Sequence, residues 1–456
     1  MPAWAGSLYY IHKLLRIAII ELFQLMSDTK NQVKESLRKG TGRALLLVRE
    51  NQDIDFSDLI FDACINCQAY DPQCQENRAK YLYRIIASTK QSQILENKLV
   101  GELLNESIED WDLCQLFSLC KIFALKGNVD ARQNLYRRFD PTNCSREIHA
   151  TDLIDLDGLE ALAFIAEARG KCLQSDSSAW EDDHLITYTN ESLSGTQALS
   201  FLQEKAINNN FIQAYLVAVN ANQERLKERK SKDWSYDAFN QEIQAGHLSR
   251  FSAWHARLKQ DDILKIAEDF LNEKDENIQQ RYLKLFAGTK FPFEFDKLTK
   301  FVESNDESIR AHALKSLSFF KDGRIRQIAL NNIESRVCLR ESFEILSNNF
   351  EESDLDLIEK ILLGINDDDE FHYLEFGTYK ILEDDRNIEI CKTDKLINLF
   401  KLIYSKEQCS FCREGTVELM IKYQLLPKEI AEEAIFDSNS DIGELVHRGG
   451  NPCAIE

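Results

Sequence analysis

Glycine and proline are scarce in this chain, which has only 17 glycines and 6 prolines among its 456 residues. An average chain of this length would contain about twice as many. β-Sandwiches, propellers and loop-rich α/β enzymes need these residues at their many turns, so the shortage argues against all three classes. The apolar fraction of 44% is nevertheless too high for a disordered chain.

The chain also lacks a long uncharged apolar segment. The apolar stretch 8–25 is interrupted by Lys13, Arg16 and Glu21, so it has the form of neither a secretory signal nor a membrane-spanning helix. The 12 cysteines are far too few for a disulfide-stabilised scaffold of this length. We therefore predict a protein of the reducing cytoplasm with no membrane span.

Positive charge is in deficit. The chain has 55 Lys and Arg residues against 76 Asp and Glu residues, which gives a formal net charge of −21. Phosphate backbones repel such a chain. The basic stretches 34–43 and 225–232 either are interleaved with acidic residues or belong to this acidic chain. The charge therefore argues against a nucleic-acid partner.

Familiar catalytic signatures are missing from the sequence. It contains no His-Glu-x-x-His, no Gly-x-Ser-x-Gly and no Rossmann fingerprint, and its eight histidines are scattered. An active site assembled from residues of several helices remains an alternative. The sequence nevertheless favours a protein that is not an enzyme and that carries no cofactor.

Helical periodicity runs through nearly the whole chain. The i, i+3, i+4 spacing of a single apolar helix face is followed by Phe56, Leu59, Ile60, Ala63 and Cys64. Segments of this kind, about 10 to 18 residues long, alternate with short polar connections, which is typical of antiparallel helix pairs. We predict an all-α fold.

An internal repeat is visible in the C-terminal half. Residues 275–284 align with residues 306–315 at an offset of 31, and both segments begin with Asp-Glu-x-Ile. Asp275 and Asp306 are each placed to cap a second helix after an apolar first helix. Because one such pair cannot bury both of its apolar faces, the copies are predicted to stack.

The repeat resembles HEAT-type helical repeats. In that family a turn Asp is followed by Ile or Val, then Arg and a small residue, and Asp306, Ile309, Arg310 and Ala311 match this order. The earlier copy departs from it by having Gln279 in place of Arg. The resemblance covers residues 255–448, and it implies an α-solenoid whose extended surface suits protein partners.

The N-terminal half has no visible period but carries three distinctive runs, at 40–44, 69–73 and 78–83. These runs are similar to an uncharacterised family of bacterial helical-repeat proteins. The similarity implies a bacterial helical protein and implies no function.

Composition changes along the chain predict five segments. The apolar sequence of residues 1–25 differs from that of the rest of the chain. Two explanations remain: a translated upstream extension, or an amphipathic helix that packs on the domain or touches a membrane surface. A surface loop at 174–195 and a charged linker at 224–235 are expected within the central segment. The segments are 1–25 (extension), 26–173 (helical N-terminal domain), 174–250 (central helical segment), 251–448 (HEAT-like repeats) and 449–456 (tail).

Two Cys-x-x-Cys pairs, Cys64/Cys67 and Cys409/Cys412, raise the question of zinc. More than 300 residues separate the pairs, and Cys64 and Cys67 lie on an apolar helix face. Buried free cysteine behaves as a small hydrophobe. The sequence therefore predicts that these cysteines pack in the core and that no metal is bound.

The polar run around residue 70 is the best candidate for partner binding. Tyr70, Asp71, Gln73, Arg78 and Tyr81 gather at one helix start, where Asp71 is placed to act as N-cap. The cluster exceeds what capping requires, and Tyr and Arg are enriched among the residues that dominate interfaces. We predict that these five residues contact a protein partner.

The sequence as a whole favours a non-enzymatic, protein-binding scaffold or adaptor in a bacterial cytoplasm. Two alternatives stay open through the HEAT resemblance. One is a nucleic-acid-binding repair protein, which would need a basic concave face. The other is an accessory protein for cofactor attachment or enzyme maturation.

Overall fold

A computed structural model of the protein describes residues 24–73, 78–143, 146–175, 180–227, 233–246 and 251–449. These residues form helices and connections and include no strand, which confirms the all-α class. The helices of the first half are α1 (24–39), α2 (Arg43–Glu50), α3 (Ser57–Ile65), α4 (Ala79–Ala87), α5 (Ser92–Glu102), α6 (Asp110–Leu125), α7 (Val129–Arg138), α8 (Arg146–Ser175), α9 (His184–Ser192), α10 (Ala198–Ala206), α11 (Asn210–Lys227), α12 (Tyr236–Ala245) and α13 (Phe251–His255). Those of the second half are α14 (Gln260–Asn272), α15 (Glu276–Phe286), α16 (Asp296–Val302), α17 (Glu307–Leu317), α18 (Gly323–Glu334), α19 (Leu339–Asn349), α20 (Asp354–Gly364), α21 (Asp368–Leu382), α22 (Asp385–Glu389), α23 (Thr393–Lys406), α24 (Ser410–Lys422), α25 (Lys428–Ala434) and α26 (Ser440–Gly449).

The helices belong to two compact units. Unit 1 comprises residues up to Arg229, together with Gln408–Phe411 and the residues from Lys428 onward, and unit 2 comprises Lys230–Glu407 and Cys412–Pro427. Residues 428–448, which the predicted repeat region 251–448 includes, therefore lie in unit 1. The predicted extension 1–25 falls outside the described residues except for its last two positions.

The predicted surface loop at 174–195 is wrong for much of its length. Helix α9 occupies His184–Ser192. Its Leu185, Ile186 and Thr189 are buried, because they are spaced to face the rest of unit 1 from one side of a helix. The richness of this stretch in Ser, Asp and Thr concealed the spacing of its few apolar residues.

The C-terminal helices of unit 1 contact the turn that follows α1. The Ser438 amide donates to the Gly40 carbonyl at 2.7 Å, and the Arg49 guanidinium lies 5.2 Å from the centre of the Phe436 ring. The turn between α25 and α26 therefore packs on the turn between α1 and α2. Two polar segments almost 400 residues apart in the sequence are brought together in one unit.

Helices α8 and α11 approach each other unusually closely in unit 1. A Cβ atom added to Gly170 of α8 would lie 1.9 Å from the Phe211 carbonyl oxygen at the start of α11. Backbone atoms cannot move aside as a flexible side chain can, so only glycine fits at this crossing.

We expect Gly170→Ala to lower the free energy of unfolding by about 2 kcal/mol or more, since the added methyl group must push two helices apart. Gly101 is the matched control, because it also lies in a helix of unit 1 but has open space where a Cβ would be added. Gly101→Ala should raise stability by about 0.5–1 kcal/mol. Urea unfolding of both variants measures the difference. Equal stabilities would show that the α8–α11 contact is loose.

Unit 2 is built from successive helix pairs. The pairs are α14/α15, α16/α17, α18/α19 and α20/α21, and the second helices α15, α17, α19 and α21 pack against one another in that order. The N-cap residues of the first helices α18 and α20 are Asp322 and Ser353, and they recur at the same offset as the two aligned copies. The 31-residue spacing of the two aligned copies therefore continues into the next helix pairs, as expected for stacked repeats.

The predicted caps of the two aligned copies are confirmed. The Asp275 carboxylate accepts hydrogen bonds from the amides of Asn277 and Ile278, and the Asp306 carboxylate accepts one from the amide of Ile309. Each bond satisfies an amide at the helix start that has no partner within the helix.

Gln279, which stands where the other copy has Arg310, makes the equivalent hydrogen bond. Arg310 donates through Nη1 to the Ser304 carbonyl at 2.8 Å. Gln279 occupies the aligned position and donates through Nε2 to the Glu273 carbonyl at 2.6 Å. Glu273 and Ser304 are themselves aligned positions of the two copies. Gln279 and Arg310 therefore donate to equivalent carbonyls in the connection between the two helices of their pair.

Removing the Asp306 cap by Asp306→Ala should reduce stability by about 0.5–2 kcal/mol, since the Ile309 amide loses its acceptor. Glu307 is the next residue and is exposed, so Glu307→Gln should cost less than about 0.5 kcal/mol. Thermal or denaturant melting of the two variants tests the cap. A Glu307→Gln effect as large as that of Asp306→Ala would point to surface charge instead.

Candidate functional site

The predicted partner-binding cluster in unit 1 is divided between accessible and buried side chains. Tyr70 and Asp71 are half-buried and Gln73 is exposed, and the Asp71 carboxylate accepts a hydrogen bond from the Gln73 amide at 3.1 Å. Arg78 and Tyr81 are each 3% exposed. A partner can therefore reach only the first three residues directly.

The two buried residues of that cluster close the C-terminal end of α1. Arg78 donates through Nη1 to the carbonyls of Leu37 and Arg38 at 3.2 and 2.8 Å. The Tyr81 hydroxyl donates toward the carbonyls of Thr41 and Ser36 at 2.9 and 3.2 Å. The last carbonyls of a helix find no donor within it, so both side chains have an architectural role here. Partner binding by Tyr70, Asp71 and Gln73 stays a prediction.

The first Cys-x-x-Cys pair lies in the core of unit 1. Cys64 is fully buried, and burial raises the pKa of its thiol, which keeps the sulfur protonated and unreactive. Cys67 is half-buried, and its amide donates to the Asp112 carboxylate at 2.5 Å. The surroundings of Cys64 are those of a packed hydrophobe.

Among the described histidines of unit 1, His149 is the most buried, and its ring lies against an aromatic side chain. Its ring stacks on Phe117 with centroids 4.3 Å apart, and neither ring nitrogen has a hydrogen-bond partner among the described residues. Burial, followed by the nearby charge of Arg138, lowers the pKa of His149 to about 4. A neutral, inaccessible imidazole is a poor acid–base catalyst at neutral pH.

His149 should make unit 1 sensitive to acid. Its pKa of about 4 in the folded state lies below the unfolded value of about 6.5, so the unfolded state takes up the proton first as the pH falls. The free energy of unfolding should therefore drop by about 2 kcal/mol between pH 7 and pH 5 through this group alone.

His149→Phe removes this dependence, whereas His447→Gln, at an exposed position of unit 1, should keep it. Denaturant unfolding at the two pH values measures the loss for each variant. If His149→Phe loses as much stability as His447→Gln, then His149 is protonated without cost in the folded state.

Unit 2 exposes aromatic rings on its row of second helices. Tyr373 is 50% exposed and Phe376 is 42% exposed, and they lie one turn apart on α21. The Arg340 guanidinium of α19 lies 5.4 Å from the centre of the Tyr373 ring and 5.9 Å from that of Phe376. We call Arg340, Tyr373 and Phe376 the aromatic face.

The aromatic face depends on a close approach of α19 and α21. A Cβ atom added to Gly377 would lie 2.6 Å from Phe343 Cβ, so glycine lets the two helices come together. Glu344 of α19 receives ion pairs from both helices, from Arg340 Nε at 3.6 Å and from Lys380 Nζ at 3.2 Å. Its carboxylate therefore fixes the position of the arginine beside the rings.

A set of side chains of the types that can bind a metal ion lies next to the aromatic face, inside unit 2. His372 Nδ1 is 3.2 Å from Glu407 Oε1 and 3.6 Å from Cys412 Sγ. Ligand atoms of Glu375, Glu407 and Cys412 all lie within 4.8 Å of one another. We call His372, Glu375, Glu407 and Cys412 the donor cluster.

Helix geometry assembles the donor cluster. His372 and Glu375 are spaced i, i+3 on α21 and so share one face. Glu407 is the C-cap residue of α23, and Cys412 lies in the first turn of α24. Sequence analysis assigned Cys412 to packing and missed the histidine and glutamates, because they are distant in the sequence. The i, i+3 spacing of His372 and Glu375 was the one available signal.

Comparison with known proteins adds no relative: no family model, no curated protein and no solved structure matches the chain. Among the described residues, no helix is both long enough and apolar enough to cross a membrane.

Proposed function

We propose that this chain is a non-enzymatic, protein-binding scaffold of HEAT-type helical repeats, acting in a bacterial cytoplasm, and that the aromatic face of unit 2 is its binding surface. The exposure of Tyr373 and Phe376 beside Arg340 carries the proposal. Tyrosine and arginine are enriched among the few interface residues that supply most of the binding energy.

Several features of the chain support a protein partner. The stacked pairs of unit 2 place second helices side by side, which is how helical-repeat proteins form extended binding surfaces. The rings of the aromatic face lie on regular helices, so they lose little freedom on binding. The net charge of −21 favours a protein partner over a nucleic acid.

Tyr373→Ala should weaken the complex with the native partner at least tenfold while leaving the melting temperature nearly unchanged. The loss follows from removing a half-exposed ring that a partner would bury; a tenfold change corresponds to about 1.4 kcal/mol. Affinity purification from the native cells identifies the partner, and titration with the purified partner measures the dissociation constant.

Ile390→Ala is the matched control, because Ile390 is 49% exposed and also lies in unit 2. Its complex should form with unchanged affinity. Gln73→Ala in the same titration tests the accessible part of the unit 1 cluster. If Tyr373→Ala binds the partner as tightly as Ile390→Ala does, the aromatic face is not the binding surface.

A further inference from the structure

We infer that the donor cluster, His372, Glu375, Glu407 and Cys412, binds one zinc ion inside unit 2. This inference does not depend on the proposed function, because it concerns buried groups and not the exposed aromatic face. It replaces the expectation that Cys412 serves packing alone.

The distances within the donor cluster fit the edges of a zinc tetrahedron. With Zn–N and Zn–O near 2.0 Å and Zn–S near 2.3 Å, tetrahedral angles place the nitrogen and sulfur about 3.5 Å apart and the nitrogen and oxygen about 3.3 Å apart. The Cys412 Sγ to His372 Nδ1 distance is 3.6 Å. The His372 Nδ1 to Glu407 Oε1 distance is 3.2 Å. The two measured distances differ from these edges by about 0.1 Å each.

The choice of ring nitrogen favours a metal over a catalytic relay. In a thiol–imidazole–carboxylate relay, the nucleophile and the carboxylate contact opposite nitrogens of the ring. Here Glu407 and Cys412 both approach Nδ1 of His372. A carboxylate and a thiol that approach the same ring nitrogen are arranged, together with that nitrogen, as ligands around a common point.

The charges of the donor cluster are compatible with a divalent cation. Glu375 and Glu407 are 2% and 0% exposed, and Arg413 is fully buried, with its Nη1 donating to the Glu407 carbonyl at 3.2 Å. Zinc binding would release the proton of Cys412, so two carboxylates and one thiolate would face the guanidinium and the ion, and the buried group would be neutral.

The donor types select zinc among divalent cations. Calcium and magnesium require all-oxygen sites, whereas thiolate, imidazole and carboxylate together are usual zinc ligands. Four protein donors leave no open coordination position, so the site would be structural. The His372 side chain is 12% exposed, which gives the ion a way in.

The zinc ion would join α21 to Glu407 at the end of α23 and to Cys412. The His372 ring packs edge-on against Phe376, with centroids 4.9 Å apart. Fixing this imidazole would therefore also hold one ring of the aromatic face in place. Zinc in this position acts as a cross-link between the last helix pairs of unit 2.

The test is metal analysis of the full-length protein, purified without chelator and without a metal-affinity column. The protein is dialysed first against buffer that contains zinc and then against zinc-free buffer. We expect about one zinc ion per chain by elemental mass spectrometry, and chelator treatment should lower the melting temperature. Replacement by cobalt should give the strong visible bands of a tetrahedral ion and a thiolate charge-transfer band. These measurements on the unaltered protein need no variant to fold.

Cys412→Ser should lose the charge-transfer band and bind zinc at least about tenfold more weakly, because loss of even an outer-shell partner costs about that much affinity. Cys391→Ser is the matched control: Cys391 is a half-buried thiol of unit 2 whose Sγ donates to the Asn387 carbonyl at 3.0 Å. It should retain full zinc content. Zinc at background level in the unaltered protein would overturn the site and leave a buried ion-pair network around Arg413. Equal zinc in Cys412→Ser and Cys391→Ser would overturn it as well.

Discussion

The satisfaction of backbone groups at helix ends is the constraint on which the rest of this structure depends. Short connections between helices leave amides and carbonyls that no helix can pair internally. Asp306 accepts from the start of α17, and Arg310 donates to the connection before it. Arg78 closes the end of α1 in unit 1. Lys406 does the same for α20 in unit 2, donating through Nζ to two carbonyls at its C-terminal end at 2.9 and 2.5 Å. Because side chains perform this task, the connections stay short and consecutive helices stay close.

Sequence reasoning succeeds where the determinant is local. The caps at Asp275 and Asp306 depend on residues two or three positions away, so they were predictable, as was the all-α class. Arg78 was harder to interpret, because its acceptors at Leu37 and Arg38 lie far earlier in the chain, on another helix. A charged residue at a helix start looks like a surface group until the helix packed against it is known. The aromatic face and the donor cluster were missed for the same reason: each combines residues of two or more helices.

The aromatic face shows how packing and exposure are connected in unit 2. Glycine at 377 allows α19 and α21 to approach, and that approach places Arg340 beside Tyr373 and Phe376. The rings are thus held by a feature of the core and yet remain exposed. A helix pair stabilised from within can present apolar rings without depending on them for its own stability. Binding residues of this kind can change with little effect on folding, which is why a repeat architecture suits recognition.

The donor cluster lies where the repeat spacing breaks. The second helices α15, α17, α19 and α21 begin at nearly even intervals, at Glu276, Glu307, Leu339 and Asp368. The interval to the next of the series, α24 at Ser410, is clearly longer, because the additional short helix α22 precedes α23. Glu407 and Cys412 follow α23, the helix after that insertion. Local departures from an otherwise regular pattern are expected where a protein has a use for them. Within the repeats, most buried positions are filled by apolar side chains that a stacked pair can cover, and the buried carboxylates Glu344 and Asp354 have cationic partners. Burial of Glu375, Glu407 and Arg413 likewise requires that their charges be matched. A cation bound by the donor cluster would contribute to that matching, and it would provide at the end of the row the cross-link that the next regular copy supplies elsewhere.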